Sequence, residues 1–82
     1  MTIEARFNSS SIAGRLRDGE YELPDGATVA AFMELAQSEA GYMLSEEQKD
    51  SCVFLFNNSP AFFDTELHGP GKLRVMFKIL GG

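Results

Sequence analysis

Apolar and polar residues alternate along "TIEARFN", residues 2–8. Ile3, Ala5 and Phe7 fall on one face and Glu4 and Arg6 on the other, the period-two signature of a half-buried strand. "SSSIAGRLRDG" is rich in Ser and Gly and reads as a wide connection. "EYELP" alternates again, with Tyr21 and Leu23 inward and Glu20 and Glu22 outward. Pro24 ends that strand because it has no amide for a further ladder bond. "PDG" at 24–26 is turn chemistry: proline presets its own φ and glycine accepts a positive one.

The period then changes to that of a helix. Thr28 is the expected N-cap, its hydroxyl facing an orphan amide of the first turn. "VAAFMELAQSEA" puts Val29, Phe32, Met33, Ala36 and Ala40 on one stripe, and Gly41 suits the position just past the helix end. "SEEQKDS" is polar and predicts a short helix or turn. "VFLFNN" is a continuous apolar run, which predicts a central strand covered on both faces, and Asn57-Asn58 suits a turn. After the broken segment "SPAFFDTELHGPGK" comes "KLRVMFKIL". There Leu73, Val75, Phe77 and Ile79 point one way and Arg74, Met76, Lys78 and Leu80 the other.

This order, with one long helix and one face for it to cover, predicts a single α+β domain over residues 1–82. A mixed sheet curls around the helix, with the first and last strands parallel at its centre. Residues 80–82 are expected to form a flexible tail ending in Gly81-Gly82.

Composition agrees with a single small globular domain: 82 residues, 44% hydrophobic and 23% charged. No apolar run approaches the roughly 18 residues a membrane span needs, and "MTIEARFN" has no secretory leader pattern. Cys52 is the only cysteine, so no internal disulfide can form; a reducing, cytoplasmic setting is expected. The net charge is −5, and all 12 acids lie before residue 68. Lys72, Arg74 and Lys78 make the final segment basic, but it is too short to serve as a nucleic-acid footprint.

Other candidate chemistry is sparse. Cys52 precedes an apolar strand, where free cysteine packs as a small hydrophobe. His68 has no cysteine or histidine near it at metal-ligand spacing and reads as a turn residue. "GPG" at 69–71 lacks the spacing and the lysine-serine end of a phosphate loop. Asp64 and Glu66 read as exposed loop carboxylates. No self-contained active site and no bound cofactor or metal is expected, so a non-enzymatic protein is predicted.

The chain resembles the ubiquitin-like sulfur carriers, the family of the molybdopterin synthase small subunit (MoaD) and the thiamine-pathway carrier (ThiS). The resemblance rests on "YELPDGATVAAFMELA", with Leu23, Gly26, Thr28 and Val29 at matching places. It rests also on "VFLFNN" and on "DTELHGPGKLRVMFKILGG", whose final diglycine is its specific part. By length the chain is nearer the molybdopterin small subunit. A Gly-Gly end arises by chance in roughly 0.5% of chains at a glycine frequency of about 7%. Its weight here therefore comes from agreement with the element order and the turn segments.

The resemblance implies a carrier activated by an adenylating enzyme of the ubiquitin-activating (MoeB/ThiF) type, which uses the ATP. Gly82 would be loaded as a thiocarboxylate and would deliver sulfur to the large subunit of a synthase. Gly82 supplies the reacting carbonyl and Gly81, with no side chain, supplies clearance in a narrow channel. Family carriers dock partly through an aromatic near the tail, and Phe77 sits at about that position, although alternation makes it core just as readily. Met76 and Leu80, on the opposite face with one face of the "VFLF" strand, are the other expected partner contacts. The same tail would suit a protein modifier joined to lysines through Gly82. A plain β-grasp interaction module is the remaining alternative.

Overall fold

The computed structural model describes residues 1–8 and 14–78. Seven elements follow in the order β1 (Thr2–Phe7), β2 (Gly19–Glu22), α1 (Val29–Ala40), α2 (Glu46–Asp50), β3 (Cys52–Phe56), β4 (Ser59–Ala61) and β5 (Gly71–Phe77). The strands make one sheet in the order β2-β1-β5-β3-β4. β1 and β5 run parallel, with Ala5 opposite Leu73 and Phe7 opposite Val75. The other pairs are antiparallel. Ile3, Ala5, Phe7, Leu73 and Val75 are all buried, as their alternation requires.

Helix α1 lies across this inner face. Phe32 stacks on Phe7 at 6.0 Å between ring centroids and meets the Tyr21 ring edge-on at 5.1 Å. Thr28 caps the helix, its Oγ1 accepting from the Ala31 N–H at 3.2 Å, and Gly41 closes it in the left-handed conformation at φ 65°. The two amides that the cap leaves open are taken by the 62–65 turn: Val29 N–H donates to Thr65 O and Ala30 N–H to Phe63 O, each at 3.0 Å. The helix start is thereby tied to the segment before β5.

Three expectations change. Ala40 is exposed, and the buried residue of the last turn is Gln37. Its Nε2 donates to Met33 O at 3.0 Å and its Oε1 accepts from Leu44 N–H at 2.8 Å, so a polar side chain anchors the post-helix loop. β3 is an inner strand, as expected, but it is not covered on both faces. It lies between β5 and β4, and of its residues only Phe54 is buried. An apolar run does not distinguish a doubly covered strand from one whose outer face is left half-open. The last strand ends at Phe77; Lys78 follows it, and Ile79 and Leu80 lie outside the described residues.

Leu16, between β1 and β2, also belongs to the core. "SEEQKDS" forms α2, opened by a capping box between Ser45 and Gln48. Asn57 and Asn58 adopt φ of 51° and 69° and form the two-residue β3–β4 hairpin turn. No helix among the described residues is long and apolar enough to cross a membrane.

Candidate functional site

Strand β5 is the middle strand of five, bonded on both sides. It is held to its end: Cys52 lies opposite Phe77, and Lys78 N–H donates to Ser51 O at 2.8 Å. The sequence runs from this fixed point through Ile79 and Leu80 to Gly81-Gly82, and those four residues lie outside the described part of the chain.

The side chains of β5 divide between two faces. Phe77 belongs to the inner face, half-buried against the core cluster. Met76 belongs to the outer face, opposite Val53 of β3 and likewise half-buried. The two described candidates for partner contact therefore lie on opposite sides of the sheet. Beside Met76, Leu55 lies opposite both Arg74 and Pro60. Val53, Leu55, Met76 and Pro60 form an apolar area on the open side of β5, β3 and β4. Phe62, just past β4, is 67% exposed.

The remainder of the outer face is charged. Arg74 is opposite Arg6, and Lys72 is opposite Glu4. Glu20 and Glu22 line the β2 edge. Sequence alternation foresaw that Arg6 and Arg74 point outward. It could not foresee that they oppose each other, because a parallel register is set by long-range pairing rather than by either strand alone.

The segments that carried the sequence resemblance meet in space. Gly26 N–H donates to Leu67 O at 2.7 Å, Leu67 N–H donates to Ala27 O at 2.8 Å, and Leu67 is fully buried. Asp25 Oδ1 accepts from Gly69 N–H at 2.8 Å, which, with the His68 ring beside it, holds the Asp25 carboxyl below its ordinary value. His68 places Nδ1 3.4 Å from Asp25 and Nε2 3.3 Å from Glu66. It is not itself in a turn but directly precedes the bend at Gly69 and Pro70. Burial pushes the Cys52 thiol up to about 11, and Sγ donates to Gln48 O at 3.3 Å. That is the behaviour of a packed cysteine, not of a nucleophile.

A mixed sheet with parallel β1 and β5 at its middle, grasping one helix, is the β-grasp fold of ubiquitin-like proteins. Solved structures share it along all or nearly all of the chain. SAMP1 from Haloferax volcanii superposes with a TM-score of 0.70 at 16% identity, covering 100% of both chains. A Pyrococcus furiosus protein assigned as molybdopterin converting factor, subunit 1, superposes with a TM-score of 0.67 at 21% identity, over 96% of this chain and 99% of that one. No protein-family description matches the sequence, and no curated protein matches it.

Proposed function

We propose that this protein is a sulfur carrier whose reactive group is the α-carboxylate of Gly82. A carboxylate is a poor acyl donor. Attack of its oxygen on the α-phosphorus of ATP expels pyrophosphate and gives an acyl-adenylate. Hydrosulfide then adds at the carbonyl carbon, its proton is lost and AMP leaves, producing a thiocarboxylate. The adenylating enzyme, of the ubiquitin-activating type (MoeB/ThiF-like), supplies the ATP site, and the carrier supplies only a presented terminus. The sulfur passes to the large subunit of a biosynthetic synthase. Molybdopterin formation is the favoured pathway, because one structural neighbour is assigned as a molybdopterin converting factor subunit. Thiazole or amino-acid sulfur insertion would use the same chemistry. The reading makes the protein a cytoplasmic cosubstrate rather than an enzyme.

The observation that carries this reading is that the chain is hydrogen-bonded into the fold as far as Lys78, four residues before Gly82 in the sequence. The strand is bonded on both flanks, and Lys78 is still anchored to Ser51. At 3.3–3.6 Å per residue, the four residues beyond Lys78 reach up to about 14 Å. That length suits a terminus entering a partner's pocket while the folded body stays outside. The body would dock through Met76 and its outer-face neighbours Val53 and Leu55, with Leu80 adding to the contact. Phe77, on the inner face, would act mainly by fixing the strand end.

Incubation with ATP, an adenylating enzyme of this type and a sulfide source, followed by intact mass measurement, tests the proposal. Exchange of one oxygen for sulfur on most of the protein is the expected result. Ladders of conjugates on other proteins would point instead to a modifier joined through Gly82. An unchanged mass, with partner binding retained after deletion of Gly81 and Gly82, would point to an interaction module.

A further inference from the structure

The chain has a net charge of −5, yet the middle of its open sheet face gathers cations. Arg6 and Arg74 are exposed and directly opposite across β1 and β5, and Lys72 precedes Arg74 by two residues on the same side. Opposed like charges destabilise a sheet. Little in the fold offsets the pair. Among the described residues the ion pairs involve Arg6, Arg17, Lys49 and His68, leaving Arg15, Lys72, Arg74 and Lys78 with none, and of these Arg15 lies over the Tyr42 ring. Arg6 is only within 4.0 Å of Glu4.

The charges are also ordered. Across the face come the acids Glu20 and Glu22 on β2, then Glu4 and Arg6 on β1, then Lys72 and Arg74 on β5, with the apolar group Met76, Val53 and Leu55 on the far side of Arg74. Lys72 and Arg74 line two concavities. One, of about 280 Å³, is shared with Leu55, Asn57 and Asn58, and the other, of about 390 Å³, with Glu4, Arg6 and Asn8.

We propose that this face is read by a protein segment bearing carboxylates beside an apolar anchor. The carboxylates lie on Arg6, Lys72 and Arg74, and the anchor lies on Val53, Leu55 and Met76. Arginine forks hold carboxylates through paired hydrogen bonds, which fix orientation as well as adding affinity. The acid edge on β2 repels the same carboxylates, so the segment has one register. A net-acidic body and an adjoining apolar group disfavour a nucleic-acid strand in this place. The inference deepens the proposed function by naming the partner's chemistry and rests on the outer face being the docking face. Its test needs neither ATP nor sulfur, so it stands or fails apart from the chemistry at Gly82.

The isotopically labelled full chain is titrated by NMR with a short blocked peptide that has glutamates on both sides of a Phe-Leu centre. A lysine counterpart and a short oligothymidylate serve as controls. The expected result is amide shifts clustered at Arg6, Val53, Leu55, Lys72, Arg74 and Met76, with affinity falling as salt rises. The R6Q/R74Q variant should bind the peptide about tenfold more weakly or worse. Its Tm should be at or above that of the parent, since the like-charge pair is relieved. Equal binding of the lysine peptide, stronger binding of the oligothymidylate, shifts elsewhere or none, or unchanged affinity in the variant would each overturn the proposal.

Discussion

Asp25 and Gly69, separated by 44 positions in sequence, are joined by a 2.8 Å hydrogen bond from the Gly69 N–H to Oδ1. The bond fastens the β2–α1 turn to the approach of β5 and favours the ionised carboxyl, as does His68. A lowered carboxyl contributes stability above its ordinary range, near pH 4, and that contribution disappears as pH falls through the lowered value. Asp25→Asn keeps an acceptor and removes the charge. It should unfold at lower urea than the parent at neutral pH, and the two midpoints should converge in acid. A difference that stays constant with pH would contradict this.

Gly71 is a positional requirement of a different kind. A Cβ there would lie 2.7 Å from the Asn57 amide and from the Phe56 ring. Asn57 is not free to move, because its Oδ1 accepts from Lys72 N–H at 3.0 Å and its N–H donates to Lys72 O at 2.9 Å. Gly71→Ala should therefore cost about 1–3 kcal/mol, measured by chemical denaturation. Pairing it with Asn57→Gly should restore part of the loss.

Much of the architecture was legible because several local signals agreed. Alternation in β1 and β5, the Thr28 cap, the Gly41 stop and the Asn57-Asn58 turn are each written in a few adjacent residues. What was not legible depends on pairing between distant segments. "VFLF" looked doubly covered because apolarity reports no direction, whereas Val53 and Leu55 face outward beside β5. Gln37 was hidden because a polar residue on a helix stripe gives no sign that two backbone groups await it. The Arg6–Arg74 opposition follows from a parallel register that neither strand encodes alone. Of the candidate site, Met76 and Phe77 could be placed by alternation, and the structure puts them on opposite faces.

Gln37 gives a direct stability test. Gln37→Ala leaves the buried Leu44 N–H without its acceptor. A loss of about 1–3 kcal/mol is expected, together with faster hydrogen exchange at Leu44. Gln37→Glu should not rescue the loss: one carboxylate oxygen can accept from Leu44 N–H, but the other faces Met33 O with no proton to donate and the charge is buried.

Cys52 should be inert in the native protein. With the thiol pushed up to about 11, thiolate is scarce at pH 8. Alkylation by iodoacetamide should be about 100-fold slower than in denaturant. Equal rates would show that the thiol is not packed against α2 as the Gln48 contact indicates.

The most direct test of the carrier account is to locate the sulfur. After incubation with ATP, an adenylating enzyme and sulfide, the protein is cleaved and its peptides are mapped by tandem mass spectrometry. The account predicts one sulfur-for-oxygen exchange, confined to the carboxyl of Gly82, and none in a chain extended by a single alanine. Sulfur found at Cys52, or loading of the extended chain at the parental rate, would contradict it.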